Sequence, residues 1–592
     1  MIFTRILQTS ILFVLTLALI VPLQSCGPEA GEREGISEGA TPETVRVRIP
    51  ADPTRLNPML SRSGYASQIE NNIFMYLLDH DPQTLEFVPM LAKDHPEVED
   101  GEIIDGNKTR AFTFEIREVA EWPDGRPVVA DDYIFTLKAA LNPKVPASSW
   151  RGFLQHLRRV EVDPNNKRKF TVMVDADYLH GIEVAAGFPI YPKHIYDPRG
   201  LMRHLELEQL FNYEEGSLDD REENALASFA ELFTSATYSS EMVKGAGPYR
   251  LVNFESGQRI TLERKEDWWG EEIFRPGPLR IHYLIIPDQA VTLSGLKDGS
   301  IDIASELPPR YFRELKNDDN FADRFDFHTP PLFQIYYFVL NNQDPILRNR
   351  KVRRALAHMT DLDFVIDEIM GGFAIPAPTV VHPNKEEFNS SLKPIKYSIS
   401  KADSLLTLAG WTDSDGDGIR DKDTDSGPMD LQLTIDVSSG EIGQNLALLM
   451  RETGERIGVD FNIRTREFRL IREDMMNREY QMTPLVLRQS LSLPDLKQNW
   501  HTDSRAPAGN NLSLYSNPVA DSLMTRIRME ENPEALKSLY REVQEIIFED
   551  QPVIMLVAPT ERVVVNSRLQ LITSAKRPGY FEGMAQLREV EF

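Results

Sequence analysis

Cys26 is the only cysteine in 592 residues, and it stands directly after an apolar run. A chain of this length with one thiol has no intrachain disulfide to staple it. Whatever it folds into must be held by burial of apolar surface. The position of that cysteine adds a constraint. Arg5 is the only charge in positions 1–25, and Ile11 to Leu23 is nearly all apolar. A basic start, a short apolar core and a processing site make a secretory signal peptide. The core is shorter than the roughly 20 apolar residues a spanning helix needs.

Leu23-Gln24-Ser25-Cys26 resembles the bacterial lipobox, which predicts a signal peptide over 1–25 and lipidation of Cys26. More than one acyl chain gives stable anchoring rather than marginal binding. The stretch after it, Gly27 to Thr41, is rich in Gly and Glu and almost without large apolar residues. Residues 26–44 are therefore expected to be a disordered tether. Gly35-Ile36-Ser37-Glu38-Gly39 matches GxSxG formally, but that motif needs a strand-to-helix turn in a hydrolase sheet. In a linker it is a chance match.

The remaining body of about 550 residues is too long for a single core and divides into two or three lobes. Net charge is −26, which excludes a nucleic-acid partner, since phosphates require a basic surface. No second segment is long and apolar enough to cross a membrane. Phe112-Thr-Phe-Glu-Ile-Arg117 alternates apolar and polar residues, the period of a half-buried strand; Lys169 to Val174 and Arg259 to Glu263 do the same. Asp361 can cap a helix with Leu362, Val365, Ile366, Ile369 and Met370 on one face, stopped by Gly371-Gly372. Ser400 and Asp403 suit a capping box. Asn532 caps and Pro533 opens a helix with Leu536, Leu539, Val543, Ile546 and Ile547 inward. The body is mixed α/β.

Several blocks occur in a telling order. Phe112 to Arg117 leads to Trp122-Pro123-Asp124-Gly125-Arg126-Pro127 and Ala130-Asp131-Asp132-Tyr133. Asp124-Gly125 supplies a tight turn, and the two acids fall in a first helical turn, where the macrodipole favours them. Lys244-Gly245-Ala246-Gly247-Pro248-Tyr249 precedes Gly257 and Trp268-Trp269-Gly270. Gly295 to Ala304, Arg350 to Leu356, Ala409-Gly410-Trp411, Tyr515-Ser516-Asn517 and Gln551-Pro552-Val553 follow. Together they resemble the extracytoplasmic solute-binding proteins, family 5, of the oligopeptide, dipeptide and nickel ABC importers. Ala246 stands where that family usually has Thr.

The resemblance implies a periplasmic-binding-protein-like two-lobed clamp of type II (large cluster) carrying an extra domain. Residues 45–78, 188–325 and 560–592 would form lobe I, 79–187 the extra domain and 326–559 lobe II. It implies a monomer that captures a peptide or similar small organic solute in the interlobe cleft. The solute would pass to ABC permease subunits at a bacterial membrane, on the periplasmic side or at the cell surface. The rival reading is a surface lipoprotein using the same fold for signalling or chaperone-like holding.

In peptide-binding members an Asp in a stretch like W-x-x-D-Y-x-x-P pairs with the ligand's ammonium. The matching stretch here is Leu485 to Pro494, with Leu487 at the Trp position and Ser490 at the acidic one. A buried ammonium needs a charged partner, and Ser490 cannot supply it; Arg488 suits a carboxylate or phosphate instead. The candidate ligand-binding residues are Arg62, Ser63 and Tyr65 in the loop after Leu56-Asn57-Pro58, with Arg488, Gln489 and Ser490. Asp413, Asp415, Asp417, Asp421 and Asp423 resemble a calcium loop, with alternating carboxylates around Gly turns, though Thr424 stands where an EF-hand has Glu. The ion would be structural, and no other cofactor is expected. No HExxH, Walker loop or zinc knuckle occurs in the sequence, so the chain reads as a binder and not an enzyme.

Overall fold

The computed structural model describes residues 43–273, 275–424 and 427–588. Cys26, the signal peptide and the GxSxG match lie outside the described residues.

Two large sheets organise the chain. The first has seven strands, in the order Phe325–His328, Val563–Asn566, Ile303–Ala304, Thr44–Ile49, Arg280–Ile285, Arg259–Arg264, Tyr249–Glu255. Its central strand, TVRVRI, has period two. Val45, Val47 and Ile49 enter the main core, while Arg46 and Arg48 point to the opposite face. Neither arginine reaches solvent freely. Arg46 donates to Asp302, and Arg48, fully buried, donates from Nε to Ile286 O (2.9 Å) and from Nη1 to Ser305 O (3.1 Å).

The second sheet has six strands, ordered Ala374–Pro376, Val553–Pro559, Gln334–Leu340, Met482–Arg488, Gln432–Val437, Asp460–Thr465. Along Gln334–Leu340, residues Phe338 and Leu340 join one buried cluster and Ile335, Tyr337 and Val339 another. The sheet is therefore covered on both faces, which is why this strand is nearly continuous in apolar residues.

A four-stranded antiparallel sheet, Glu97–Ile104, Asn107–Glu115, Lys169–Asp175 and Leu157–Val162, lies within the expected extra domain. Its apolar face, with Phe112, Phe114, Phe170 and Val172, belongs to the same continuous core as Val45 and Ile281. This segment thus shares its core with the first lobe. The strand Phe325–His328 straddles the expected 325/326 boundary and pairs throughout with Val563–Asn566. The chain leaves the first sheet only after His328.

Local expectations resolve individually. Asn532 accepts from the Glu534 and Ala535 amides at the head of Pro533–Asp550. Asp361 accepts from Phe364 N, but its helix widens into a π turn over Val365–Ile369 before Gly371 and Gly372, both at positive φ. The helix Ile399–Leu408 is capped by Ser398 and not by Ser400, because Ser398 is the residue with extended backbone and accepts from Lys401 N. Asp132 accepts from the Trp122 indole, Val129 N and Lys193 N, so that acid ties its block together.

Candidate functional site

Two segments join the sheets, and they run side by side. The first passes from His328 to Gln334, the second from Pro559 to Val563. Pro331 and Thr560 form an antiparallel bridge, Glu561 N donates to Pro330 O (2.8 Å), and Leu332 N donates to Pro559 O (3.2 Å). A paired crossing of this kind is a hinge: a few dihedrals there can swing one sheet against the other. The site is the cleft above it.

On the first-lobe side the Ser61–Tyr65 loop is pinned to a short helix. Ser63 caps Gly64–Glu70 by accepting from Tyr65 N (3.2 Å), and Ser61 Oγ donates to Glu70 Oε2 (2.9 Å). Ser63's oxygen is thus already engaged. Tyr65 donates its hydroxyl to Glu306 Oε2 (2.9 Å). Glu306 sits at φ 59°, a left-handed conformation uncommon for a non-glycine residue. Its amide donates to Glu561 Oε1 (3.2 Å) on the hinge. Burial, with Glu306 adding to it, pushes the Glu561 carboxyl above its ordinary value. Arg62 is exposed and makes no ion pair among the described residues.

On the second-lobe side Arg488 ends the strand Met482–Arg488 directly opposite Gln334. It is exposed and without an ion pair among the described residues. Gln489 is committed to the 380–382 turn: Nε2 donates to Val380 O (2.6 Å) and Oε1 accepts from His382 N (3.0 Å). Ser490 is exposed, its Oγ accepting only from Ser492 N (3.2 Å). Lys385 Nζ holds the next turn through Leu491 O (3.2 Å) and Ser492 O (2.6 Å). It also lies 4.9 Å from the Phe333 ring centre. Burial draws the Lys385 ammonium down to about 8. The wall around Ser490 thus carries the Lys385 ammonium, with the Glu387 carboxylate near it and Glu183 of the first lobe against Ser492.

His80 Nε2 lies 3.0 Å from Ser492 Oγ across the lobes. No carboxylate bonds the other His80 ring nitrogen among the described residues, so the pair lacks the orienting group of a nucleophilic triad. It acts as a latch. His80 also lines a mainly apolar cavity of about 100 Å³, bounded by Phe74, Tyr76, Met90, Trp268 and Phe581. Lys576 closes its edge through Asp79 (2.7 Å) and His80 O (2.8 Å).

Far from this cleft, Asp413, Asp415 and Asp421 bring one carboxylate oxygen each within 4.8 Å of one another. Asp417 and Asp423 fall outside that group: Asp417 accepts from Ile419 N (2.8 Å) and Asp423 stands in the Asp421–Thr424 hairpin strand. The three grouped acids also accept from backbone amides of their own loop, Asp413 from Gly416 N and Asp421 from Ser414 N, both at 2.7 Å.

Sequence reasoning named Tyr65 and Arg488 but not Glu306, Glu561, Arg562 or Arg577, which topology gathers from three separate stretches. Of these, only Glu306 had a nearby signal, the Gly295–Ala304 block just before it.

Comparison with known proteins agrees with this architecture. Residues 86–504 match the family of bacterial extracellular solute-binding proteins, family 5 (middle region), and the chain belongs to that family. It is 23% identical over 577 residues to the oligopeptide-binding protein AppA of Bacillus subtilis (strain 168), covering 96% of this chain and 95% of that one. It is 22% identical over 527 residues to the nickel-binding periplasmic protein of Escherichia coli (strain K12), covering 86% and 87%. Among solved structures, HbpA2 from Haemophilus parasuis is similar with a TM-score of 0.72 at 18% identity, covering 92% of this chain and 100% of that one. AppA from Bacillus subtilis in complex with a nonapeptide gives 0.62 at 20%, covering 92% and 99%. The fold is that of the two-lobed periplasmic clamp, and the family works outside the cytoplasm. Among the described residues no helix is long and apolar enough to cross a membrane.

Proposed function

We propose that this protein is the capture component of an ABC importer. It binds a peptide or similar small organic solute between its lobes and delivers it to a membrane permease, making and breaking no bond. The observation that carries the reading is the paired crossing at Pro331 and Thr560 between the two sheets, with His80 and Arg577 of one lobe reaching Ser492 and Gln334 of the other. Such a hinge lets a ligand that touches both lobes favour the closed state. The relatives named for oligopeptide and nickel binding support the same role. Cys26 is proposed as the lipid anchor, holding a monomeric clamp at the membrane so that released solute stays near its permease. The Asp413–Asp421 loop is proposed to hold a structural calcium ion.

Mass spectrometry of small molecules released on denaturing the freshly purified protein tests the reading, together with calorimetric titration against defined peptide pools. A peptide in the released fraction, or binding at μM affinity, about −8 kcal/mol, is the expected result. A dialysed protein that gives neither heat nor thermal shift with any pool, and releases no peptide, overturns it.

A further inference from the structure

The hinge end of the cleft collects positive charge that the chain as a whole does not explain. Gln334 and Arg488 are cross-strand partners, so their side chains share a face of the second sheet, and Tyr336 lies two residues on along that face. Arg577, from the C-terminal segment of the first lobe, reaches over and donates from Nη2 to Gln334 Oε1 (2.8 Å). Arg562 stands on the hinge itself, its guanidinium 5.4 Å from the Phe373 ring centre. Arg488, Arg562 and Arg577 are all close enough to Tyr336 to draw on its hydroxyl electrostatically. That hydroxyl has no hydrogen-bond partner among the described residues. Arg48 adds a fully buried guanidinium on the first-lobe side, beside Glu306, Tyr65 and Tyr580, and its Nη2 has no partner among the described residues.

Four guanidiniums thus face two carboxylates, Glu306 and Glu561. None of the four forms an ion pair among the described residues, in a protein of net charge −26. Elsewhere Arg46, Arg158, Arg464 and Arg528 are all matched to aspartates within 3.0 Å. The next turn of the wall contributes Lys385, with Glu387 near it and Glu183 of the first lobe against Ser492. Arg48 is the fully buried one of the four, and buried polar groups are almost always satisfied; the planar forks of the exposed Arg488 and Arg577 match a carboxylate bidentately.

We propose that the hinge end of the cleft is a carboxylate-binding subsite, in which Arg488 and Arg577, flanking Gln334 beside the Tyr336 hydroxyl, receive a carboxylate of the bound solute. The proposal rests on the solute-binding reading and narrows its ligand class. The solute is held by an acidic group, and a free amino terminus is dispensable.

The test is calorimetric titration of the purified protein with four probes. These are tetraalanine, its C-terminal amide, its N-acetyl form, and acetyl-Ala-Ala-Glu-Ala-amide, whose only carboxylate is a side chain. Tetraalanine and its acetyl form should bind within threefold of one another. Amidation should weaken binding at least tenfold. Binding of the Glu probe would place a side-chain carboxylate in the subsite; its silence, with tetraalanine bound, would place the terminal one there. Arg488→Gln and Arg577→Gln, both at exposed positions, should each lose tenfold for the acid and nothing for the amide, with an unchanged unfolding temperature. Equal binding of acid and amide, or full affinity in both variants, overturns the subsite while leaving the peptide clamp intact. Silence with every peptide, but heat with succinate that vanishes in Arg488→Gln, overturns the peptide reading and keeps the subsite. Silence with peptides and succinate alike overturns the subsite, and the released-ligand measurement above then decides the clamp.

Discussion

Asp302→Asn should be the most informative single change in the first lobe. Asp302 is fully buried and takes two guanidiniums, Arg46 Nε at 3.0 Å and Arg568 Nη2 at 3.0 Å, plus the Arg46 amide at 2.9 Å. Its own amide donates to Arg46 O (2.9 Å) and its carbonyl accepts from Asn566 N (2.7 Å). One side chain therefore joins the first strand, the short Ile303–Ala304 strand and the returning C-terminal segment, three stretches far apart in sequence. Asparagine keeps the shape and one acceptor but removes the charge, leaving two guanidiniums facing each other. Removing one partner of a buried pair costs about 3–5 kcal/mol. The arginine side chains keep 16% and 20% exposure, so water relieves part of this, and the low end, about 3 kcal/mol, is expected. At about 2–4 °C per kcal/mol for a body of this size, the first-lobe transition should fall by roughly 6–12 °C. Differential scanning calorimetry without ligand reads this, and urea unfolding, which leaves charge unscreened, gives the free energy. A variant within about 0.5 kcal/mol of wild type would refute the hub, since that is the range of an ordinary surface change.

Further outcomes follow from the same structure. Burial raises the Glu582 carboxyl to about 7, from 4.5, in a network where Tyr283 donates to its Oε1 at 2.5 Å. A raised folded-state value means this stability is fully present below pH 4.5 and lost as pH rises through about 7. Glu582→Gln should therefore match wild type at pH 4.5 and exceed it at pH 8 by roughly 3 kcal/mol, and parallel urea curves at the two pH values would expose the error. A Cβ on Gly245 would lie 2.3 Å from Ile73 O, so Gly245→Ala should cost about 1–3 kcal/mol through overpacking, checked by thermal melting. If the Asp-rich loop binds calcium, a concentration one hundred times the dissociation constant stabilises it by about 2.7 kcal/mol. Asp413→Asn should erase that gain, and identical melts with calcium and with chelator would dismiss the ion.

What the sequence disclosed divides by range. Period-two strands such as Lys169–Asp175 and the Asn532–Pro533 cap are local, and they were legible because local physics decides them. The TVRVRI alternation could have exposed Arg46 and Arg48 as a pair on one face, but nothing within the strand says that Asp302 and two carbonyls wait for them. Ser398 and Ser400 compete for one cap on equal chemistry, and backbone conformation at Ser398 settles it. Gln489 is polar at the right place in the wall, yet its amide serves the 380–382 turn, a partner more than a hundred residues away. The cleft's charged base was illegible for the same reason: Arg488, Arg562 and Arg577 meet only because the chain crosses the hinge twice.

That double crossing also bears on how ligand could control the clamp. Among the described residues the direct bonds between the two lobes away from the crossing include two that are half-buried, His80 to Ser492 (3.0 Å) and Arg313 to Gly371 O (3.0 Å), and two that are exposed, Arg577 to Gln334 (2.8 Å) and Arg110 to Glu531 (3.0 Å). Each contributes on the order of 1 kcal/mol or less at such positions. Phe312 meets Phe373, ring centres 5.2 Å apart, beside the crossing, where Thr560 N donates to Phe373 O (3.0 Å). A bound solute would add to these contacts in setting the open–closed equilibrium. A solute that adds even 3 kcal/mol of contact shared by both lobes shifts it more than a hundredfold toward closure. A guanidinium from each lobe, Arg577 from the first and Arg488 from the second, meeting one carboxylate would supply contact of that kind, because the bidentate pair is complete only when the lobes are together.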